Sequence, residues 1–360
     1  MKIAVLGSGN GAHAVAFECA RAGHEVSMFD FPRFSASVEA IAAAGGISSV
    51  GRMEGFQKIA YAGTDIAAVM EGASLIIAVG PSYSTEPFAE ACRPYVREGQ
   101  VYVVMPGSCM GALVFKRALG LDPLDERVCV AETSTLPYAV RIMGPASIDV
   151  YHRLIGAYTV ATLPRSKGDE VYELLTGIFT GMEKGRSVFE TTLSNSNPVI
   201  HPVVTTLNVG LIERTRGDFE FYSEGITPSV GNLMEAIDTE RLRIGEALGV
   251  KLERGPSKGI RQGYANVDTD DYCLSYSTAP GFAGIRAQSS LDHRYYNEDL
   301  GYTMMFWLDL ADRFGVDVPG MQSLVTLASM ITKKDFRKDP PRTLASLGLD
   351  GWTREQLLEL

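Results

Sequence analysis

No stretch of the sequence approaches eighteen consecutive apolar residues, so it contains no candidate membrane-spanning helix. Cysteine is scarce. The five cysteines, Cys19, Cys92, Cys109, Cys129 and Cys273, are odd in number, widely spaced and without a C-x-x-C pair. Such a set supports neither a disulfide framework nor a zinc site, and no metal is expected. Basic residues are in the minority, with 33 Lys and Arg against 43 Asp and Glu for a net charge of −10. That balance argues against nucleic acid or an anionic membrane as a partner. An anionic substrate must therefore be drawn in by a local basic group. What remains is an ordinary globular composition, 46% hydrophobic and 21% charged, ample for a buried core. At 360 residues, two domains are expected. The opening MKIAVLGSGNG enters a strand and a glycine turn at once, so no leader is expected and a cytoplasmic protein is anticipated. Composition allows a homodimer without requiring one.

The first third alternates short apolar runs with helical stretches. Strands are predicted at Lys2–Leu6, Glu25–Phe29, Leu75–Val79, Val101–Met105 and Val128–Ala131, and helices at Ala12–Ala22, Glu86–Val96 and Ala112–Leu119. Continuous apolar strands separated by helices imply a parallel sheet covered on both faces, and the right-handed crossover makes it doubly wound. Tyr138–Met143 and Ile148–Thr162 read as strands that extend this sheet antiparallel, followed by a helix near Asp169–Phe179 and a short strand near Ser187–Glu190. Beyond about residue 190 the sequence reads as helical, with candidates at Ser229–Leu248, Asn297–Phe314 and Gln322–Thr332. The expected plan is an α/β Rossmann-type domain over residues 1–188 and an all-α domain over residues 189–360, with the active site in the cleft between them.

Gly7-Ser8-Gly9-Asn10-Gly11-Ala12 fits G-x-G-x-x-A. Its chemistry belongs to the backbone: Gly7 permits the tight turn, Gly9 lets the main chain approach a pyrophosphate, and Ala12 lets the helix pack on the strand. The helix N-terminus adds free N–H groups and a positive dipole end. Alone the pattern is weak, but here a strand precedes it, a helix follows it, and Asp30 ends the next strand at the usual distance. A carboxylate there accepts bonds from a ribose 2′-hydroxyl and repels a 2′-phosphate, so NAD(H) is favoured over NADP(H), although Arg33 lies close by. Gly80-Pro81 and Pro106-Gly107 end two strands at the same sheet edge, where loop-forming residues are expected in any case.

Proton chemistry needs a titrating side chain, and there are only five histidines. His24 lies in a surface turn, His152 alternates with apolar neighbours in a strand, and His293 is ambiguous. His13 follows the glycine loop, where the helix dipole disfavours its charge. His201 lies in Ser194-Asn195-Ser196-Asn197-Pro198-Val199-Ile200-His201-Pro202, where a helix begins either at Asn197 or at Pro202. Near a helix N-terminus, an acid–base role requires a compensating carboxylate. The pattern alone is equally compatible with a satisfied buried histidine. Arg294 and Asp299, in Arg294-Tyr295-Tyr296-Asn297-Glu298-Asp299, suit a carboxylate clamp and an imidazole partner. They suit a surface pair and a helix cap as well.

Taken together, the Gly7–Ala12 loop with His13, Asn195–Pro202, Glu224-Gly225-Ile226-Thr227-Pro228-Ser229-Val230-Gly231, Arg294–Asp299, and the tail Asp335-Phe336-Arg337-Lys338 with Leu347-Gly348-Leu349 resemble the opine dehydrogenase family. The resemblance covers nearly the whole chain. It implies an NADH-dependent condensation of an α-keto acid, often pyruvate, with the amino group of an amino acid, giving a secondary amine dicarboxylate. It also implies that His201 is the catalytic histidine, Asp299 its partner, and Arg294 the group near the keto-acid carboxylate. The competing expectation is a simple α-keto or α-hydroxy acid dehydrogenase on a ketopantoate-reductase-like plan, without an amine substrate.

Overall fold

The computed structural model describes residues 1–360, which divide into one unit of Met1–Thr191 with Glu359–Leu360 and a second of Thr192–Leu358. The first unit is built on an eight-stranded sheet. Its strands run, in spatial order, Met182–Lys184, Tyr158–Leu163, Cys129–Thr133, Val101–Val104, Leu75–Ala78, Lys2–Leu6, Glu25–Phe29 and Tyr61–Gly63. From Cys129–Thr133 to Tyr61–Gly63 every pairing is parallel. The central strands LIIA and VYVV are buried along their whole length, as a sheet covered on both faces requires. Order reverses beside Lys2–Leu6, the first strand, and the glycine turn leaves the sheet at that point.

The antiparallel extension is only partly as expected. Tyr158–Leu163 does join Cys129–Thr133 antiparallel. The expected strand Ile148–Thr162 is broken, however, because Ala157 takes a left-handed φ of 54° between Ser147–Arg153 and Tyr158–Leu163. The hairpin of Tyr138–Gly144 and Ser147–Arg153 instead joins Gly46–Gly51 and Gly55–Lys58 in a separate four-stranded sheet. Those last two strands, GISSVG and GFQK, are polar and half exposed, so they carry no apolar run that would announce them.

A second correction concerns Ser187–Glu190, which is not a strand. The strand is Met182–Lys184, and a helix occupies Val188–Ser194. Ser187 Oγ accepts from the Glu190 N–H at 3.3 Å while the Glu190 carboxylate accepts from the Arg186 N–H at 2.7 Å. This Ser-x-x-Glu cap closes the orphan N–H groups that a helix start leaves, and it outweighs the short apolar run.

The second unit is helical. Pro228–Leu248 is its longest helix and ends on Gly249 at φ 89°, a left-handed cap that glycine adopts without strain. Pro319–Thr332 starts with proline in its first turn, and buried Glu240 accepts from the Gly320 and Met321 N–H groups at its head. The expected helix Asn297–Phe314 has two parts. Tyr295–Met304 is a ten-residue π-helix, and α-helix resumes over Met305–Phe314. No helix of the chain is long and apolar enough to cross a membrane.

Candidate functional site

In the first unit the helix Asn10–Arg21 starts directly after the glycine turn, with Gly9 as its N-cap and no side chain closing it. Its first-turn N–H groups therefore face outward without side-chain acceptors. Gly7 has φ 111°, and a Cβ there would lie 2.4 Å from the Val79 carbonyl oxygen. That contact makes glycine obligatory and sets Gly80-Pro81 beside the turn. Around Gly9 a Cβ would meet nothing within 4 Å, which leaves room for a phosphate group against bare main chain. Gly11 does a different job: a Cβ would lie 2.8 Å from Leu136 and 3.1 Å from Val79, so its smallness serves packing. Ala12 is fully buried on the same side. The Asn10 side chain accepts from the Ile142 N–H at 2.8 Å, which ties the loop to the neighbouring hairpin.

Asp30 is 5% exposed and oriented from both sides. Ser8 Oγ donates to one carboxylate oxygen at 2.6 Å and the Phe31 N–H donates to the other at 2.8 Å. Each oxygen can accept a further bond, so the carboxylate suits a diol held beyond the turn. The Arg33 guanidinium lies over the Phe34 ring, 4.8 Å from its centroid. His13 donates from Nδ1 to the Gly9 carbonyl at 3.0 Å. Burial lowers its pKa, which keeps the ring neutral beside the turn. The turn, the bare helix end and the acid thus fit a dinucleotide.

The same sheet edge holds a segment that sequence reasoning singled out only weakly. After Val101–Val104 the chain passes through Ser108 at φ 51° and Met110 at φ 54°, both buried and neither glycine. Such strain persists only where the surroundings impose it. Glu132 is fully buried here, accepts from the Ala112 N–H at 2.7 Å and from Thr191 Oγ1, and leaves no room for a Cβ on Gly107.

In the second unit the helix of His201 runs from Asn197 to Leu207 with Pro202 inside it. Of the two expected starts, Asn197 is the one observed, with Asn195 Oδ1 accepting from the Asn197 N–H at 3.1 Å. His201 therefore sits past the first turn rather than at the helix mouth, where the dipole acts less. Its Nδ1 meets Asp299 Oδ2 at 2.7 Å, although 98 residues separate the two in sequence. Its Nε2 meets the Tyr222 hydroxyl at 3.1 Å. Tyr295 stacks on the imidazole at 3.9 Å and Phe221 meets it edge-on at 6.0 Å. The carboxylate takes the Nδ1–H and so fixes the ring's orientation, leaving Nε2 as the nitrogen that faces the Tyr222 hydroxyl.

Asp299 reaches the histidine from the π-helix, where Met305 N–H bonds back to the Leu300 carbonyl, five residues earlier. The wide winding presents Tyr295 and Asp299 to one ring, and π-segments concentrate at functional sites. Arg294 heads this segment, directly before the Tyr295 that stacks on His201. It pairs with Glu298 at 2.8 Å, a fully buried carboxylate under a half-exposed guanidinium. Sequence reasoning missed Tyr222, Tyr295 and Glu298. Tyrosine is too common here, 15 in the chain, for spacing to mark one of them.

The family model described as NAD/NADP octopine/nopaline dehydrogenase, alpha-helical domain, matches residues 184–332, and that of the NAD-dependent glycerol-3-phosphate dehydrogenase N-terminus matches residues 2–107. The chain is 31% identical over 353 residues to the opine dehydrogenase of Arthrobacter sp. (strain 1C), covering 97% of this chain and 96% of that protein. It is 28% identical over 356 residues to the protein ocs of Agrobacterium tumefaciens (strain Ach5), with 97% and 96% covered. Among solved structures, an octopine dehydrogenase in complex with NADH and agmatine matches with a TM-score of 0.78 at 19% identity, covering 100% of this chain and 98% of the other, a likeness of fold. With its glycine turn fitted to a dinucleotide and a relative at 31% identity along nearly the whole of both chains, the chain belongs to the opine dehydrogenase family of NAD-dependent oxidoreductases.

Proposed function

We propose that the protein catalyses the NADH-dependent reductive condensation of an α-keto acid, pyruvate, with the amino group of an amino acid. The observation that carries this reading is the His201–Asp299 pair in the unit matched by the octopine/nopaline helical-domain model. Support comes also from relatives: octopine dehydrogenase structures exist with NADH together with pyruvate, L-arginine or agmatine. In this reading Gly7, Ser8, Gly9, Asn10, Gly11, Ala12, Gly80 and Pro81 cradle the dinucleotide and Asp30 takes its ribose. When bound, the dinucleotide supplies a hydride for the C=N bond. Loss of water from the carbinolamine needs an acid, which the protonated His201 provides while Asp299 holds its ring. Arg294 takes the keto-acid carboxylate, its half-exposed guanidinium being charge-paired with buried Glu298 at 2.8 Å.

Two variants probe these roles. Arg294→Ala is expected to raise the keto-acid KM by about ten- to a hundredfold, the scale of a charge-assisted hydrogen bond, with NADH affinity unchanged. An unchanged KM would assign that carboxylate to another group. Asp30→Ala is expected to weaken NADH by about tenfold relative to NADPH in a fluorescence titration, because the ribose acceptor and the repulsion of a 2′-phosphate disappear together. An unaltered preference would place Asp30 away from the ribose.

The function itself is tested by NADH oxidation with pyruvate, with and without a panel of amino acids extended by ornithine and taurine. Turnover that depends on one class of amine is the expected result, and it names the second substrate. Turnover with keto acid alone would replace this reading with a simple dehydrogenase.

A further inference from the structure

Nδ1 of His201 is committed to Asp299 at 2.7 Å, so any proton the ring gives up must leave from Nε2. That side is met by the Tyr222 hydroxyl at 3.1 Å. Resting on the reaction read above, we propose that Tyr222 relays the His201 proton to the carbinolamine oxygen, the phenol rather than the imidazole being the acid in contact with substrate.

A hydroxyl both donates and accepts. While the ring is neutral, its proton sits on Nδ1 and Tyr222 donates to Nε2. Once the ring is protonated, Nε2–H donates to the phenol oxygen, and the phenol hydrogen is released to point onward. Charging the histidine thus turns Tyr222 into a donor toward its far side.

The second observation is that the phenol is held. Its ring stacks on Phe282 with centroids 4.1 Å apart and planes 7° from parallel, and Phe282 stacks in turn on Tyr264 at 4.4 Å and 18°. Phe221 closes the edge at 5.2 Å and 81°. A group that merely covered Nε2 in the free protein would have to swing away when substrate arrived. Tyr222 cannot do so without breaking a column of stacked rings, so it stays and transmits.

The step balances. The imidazolium passes its Nε2 proton to the Tyr222 oxygen as the phenolic proton passes to the carbinolamine hydroxyl. The C–O bond breaks with its electron pair leaving on water, and the nitrogen lone pair closes the C=N bond of an iminium. Tyr222 begins and ends neutral, and one positive charge has moved from His201 to the substrate.

Tyr222→Phe keeps the ring and its stack and removes only the oxygen. Expected is a fall of about a hundredfold in kcat for amine-dependent NADH oxidation, the scale of general acid catalysis, with keto-acid KM, NADH Kd and Tm all as in wild type. The dependence of the solvent deuterium effect on D2O fraction, curved in wild type for two protons in flight, becomes linear in the variant. Turnover near wild type would overturn the relay, and so would a loss that comes with weaker NADH binding or a lower Tm. Absence of amine-dependent oxidation by the wild-type enzyme would sink the function and the relay with it. Wild-type turnover that Tyr222→Phe leaves intact would sink the relay alone.

Discussion

His201→Ala is expected to lower kcat by about a thousandfold while leaving the NADH Kd unchanged. The ring lies between a carboxylate and a phenol, where it can carry a proton, and alanine removes that carrier outright. In the proposed assignment the dinucleotide is held by the glycine turn and Asp30, residues of the other unit, so its Kd is expected to stay unchanged. The substitution also leaves Asp299, 2% exposed, without its imidazole, and removes the surface on which Tyr295 stacks. A stopped-flow trace of NADH oxidation should therefore be read beside a thermal melt. His201→Gln, which can still donate an N–H toward Asp299, separates lost chemistry from lost packing: it should stay as inactive as the alanine variant with less loss of stability. Turnover near wild type in either variant would remove His201 from the mechanism.

Asp238→Ala is expected to destabilise the helical unit by about 3–5 kcal/mol, the cost of stranding one member of a buried ion pair. Asp238 is fully buried on the helix Pro228–Leu248. Its carboxylate accepts from Arg241 Nε at 2.7 Å, from the Gly255 N–H at 2.9 Å and from the Tyr272 hydroxyl at 2.5 Å. Burial would raise its pKa, but the Arg241 charge and the three donors hold it below the ordinary carboxylate value. Arg241, 1% exposed, spends its other nitrogens on the Leu193 and Glu253 carbonyls at 2.7 Å each. Lys258 donates to the next carbonyl, that of Ser194. Two cations thus pin the chain where it enters the helix of His201. Removing Asp238 leaves Arg241 buried without a counter-charge and two donors without an acceptor. For a unit of this size the loss corresponds to a fall in Tm of roughly 6–20 °C, to be read by calorimetry with urea unfolding as a check. A melt close to wild type would mean that the guanidinium finds water or another acceptor.

Much of the first unit was legible because its signals are local. The run Lys2–Leu6, the glycines at 7 and 9, and Asp30 at the end of the next strand each follow from backbone freedom, apolar periodicity or a fixed offset along one chain segment. Failures came where local signals were balanced. Gly46–Gly51 and Gly55–Lys58 lack an apolar run and are strands only because the hairpin beyond Tyr138 offers them partners. Ser187–Glu190 looked like a strand while its cap made it a helix start.

In the helical unit, the sequence by itself placed His201 at or near the start of a helix, leaving Asn197 and Pro202 both open as its first residue, and placed Arg294 and Asp299 at the head of another. It could not bring them together, because a hydrogen bond across 98 residues depends on how two helices pack and not on the propensity of either. Tertiary structure alone decided that Asp299 reaches the histidine while Arg294 turns to Glu298, and that a phenol from a third segment meets Nε2. It also decided the π-winding of Tyr295–Met304, a conformation that a helical pattern does not announce. Backbone preferences act over a few residues, so they choose elements. Packing and hydrogen-bond satisfaction act over the whole fold, and they choose which side chains meet.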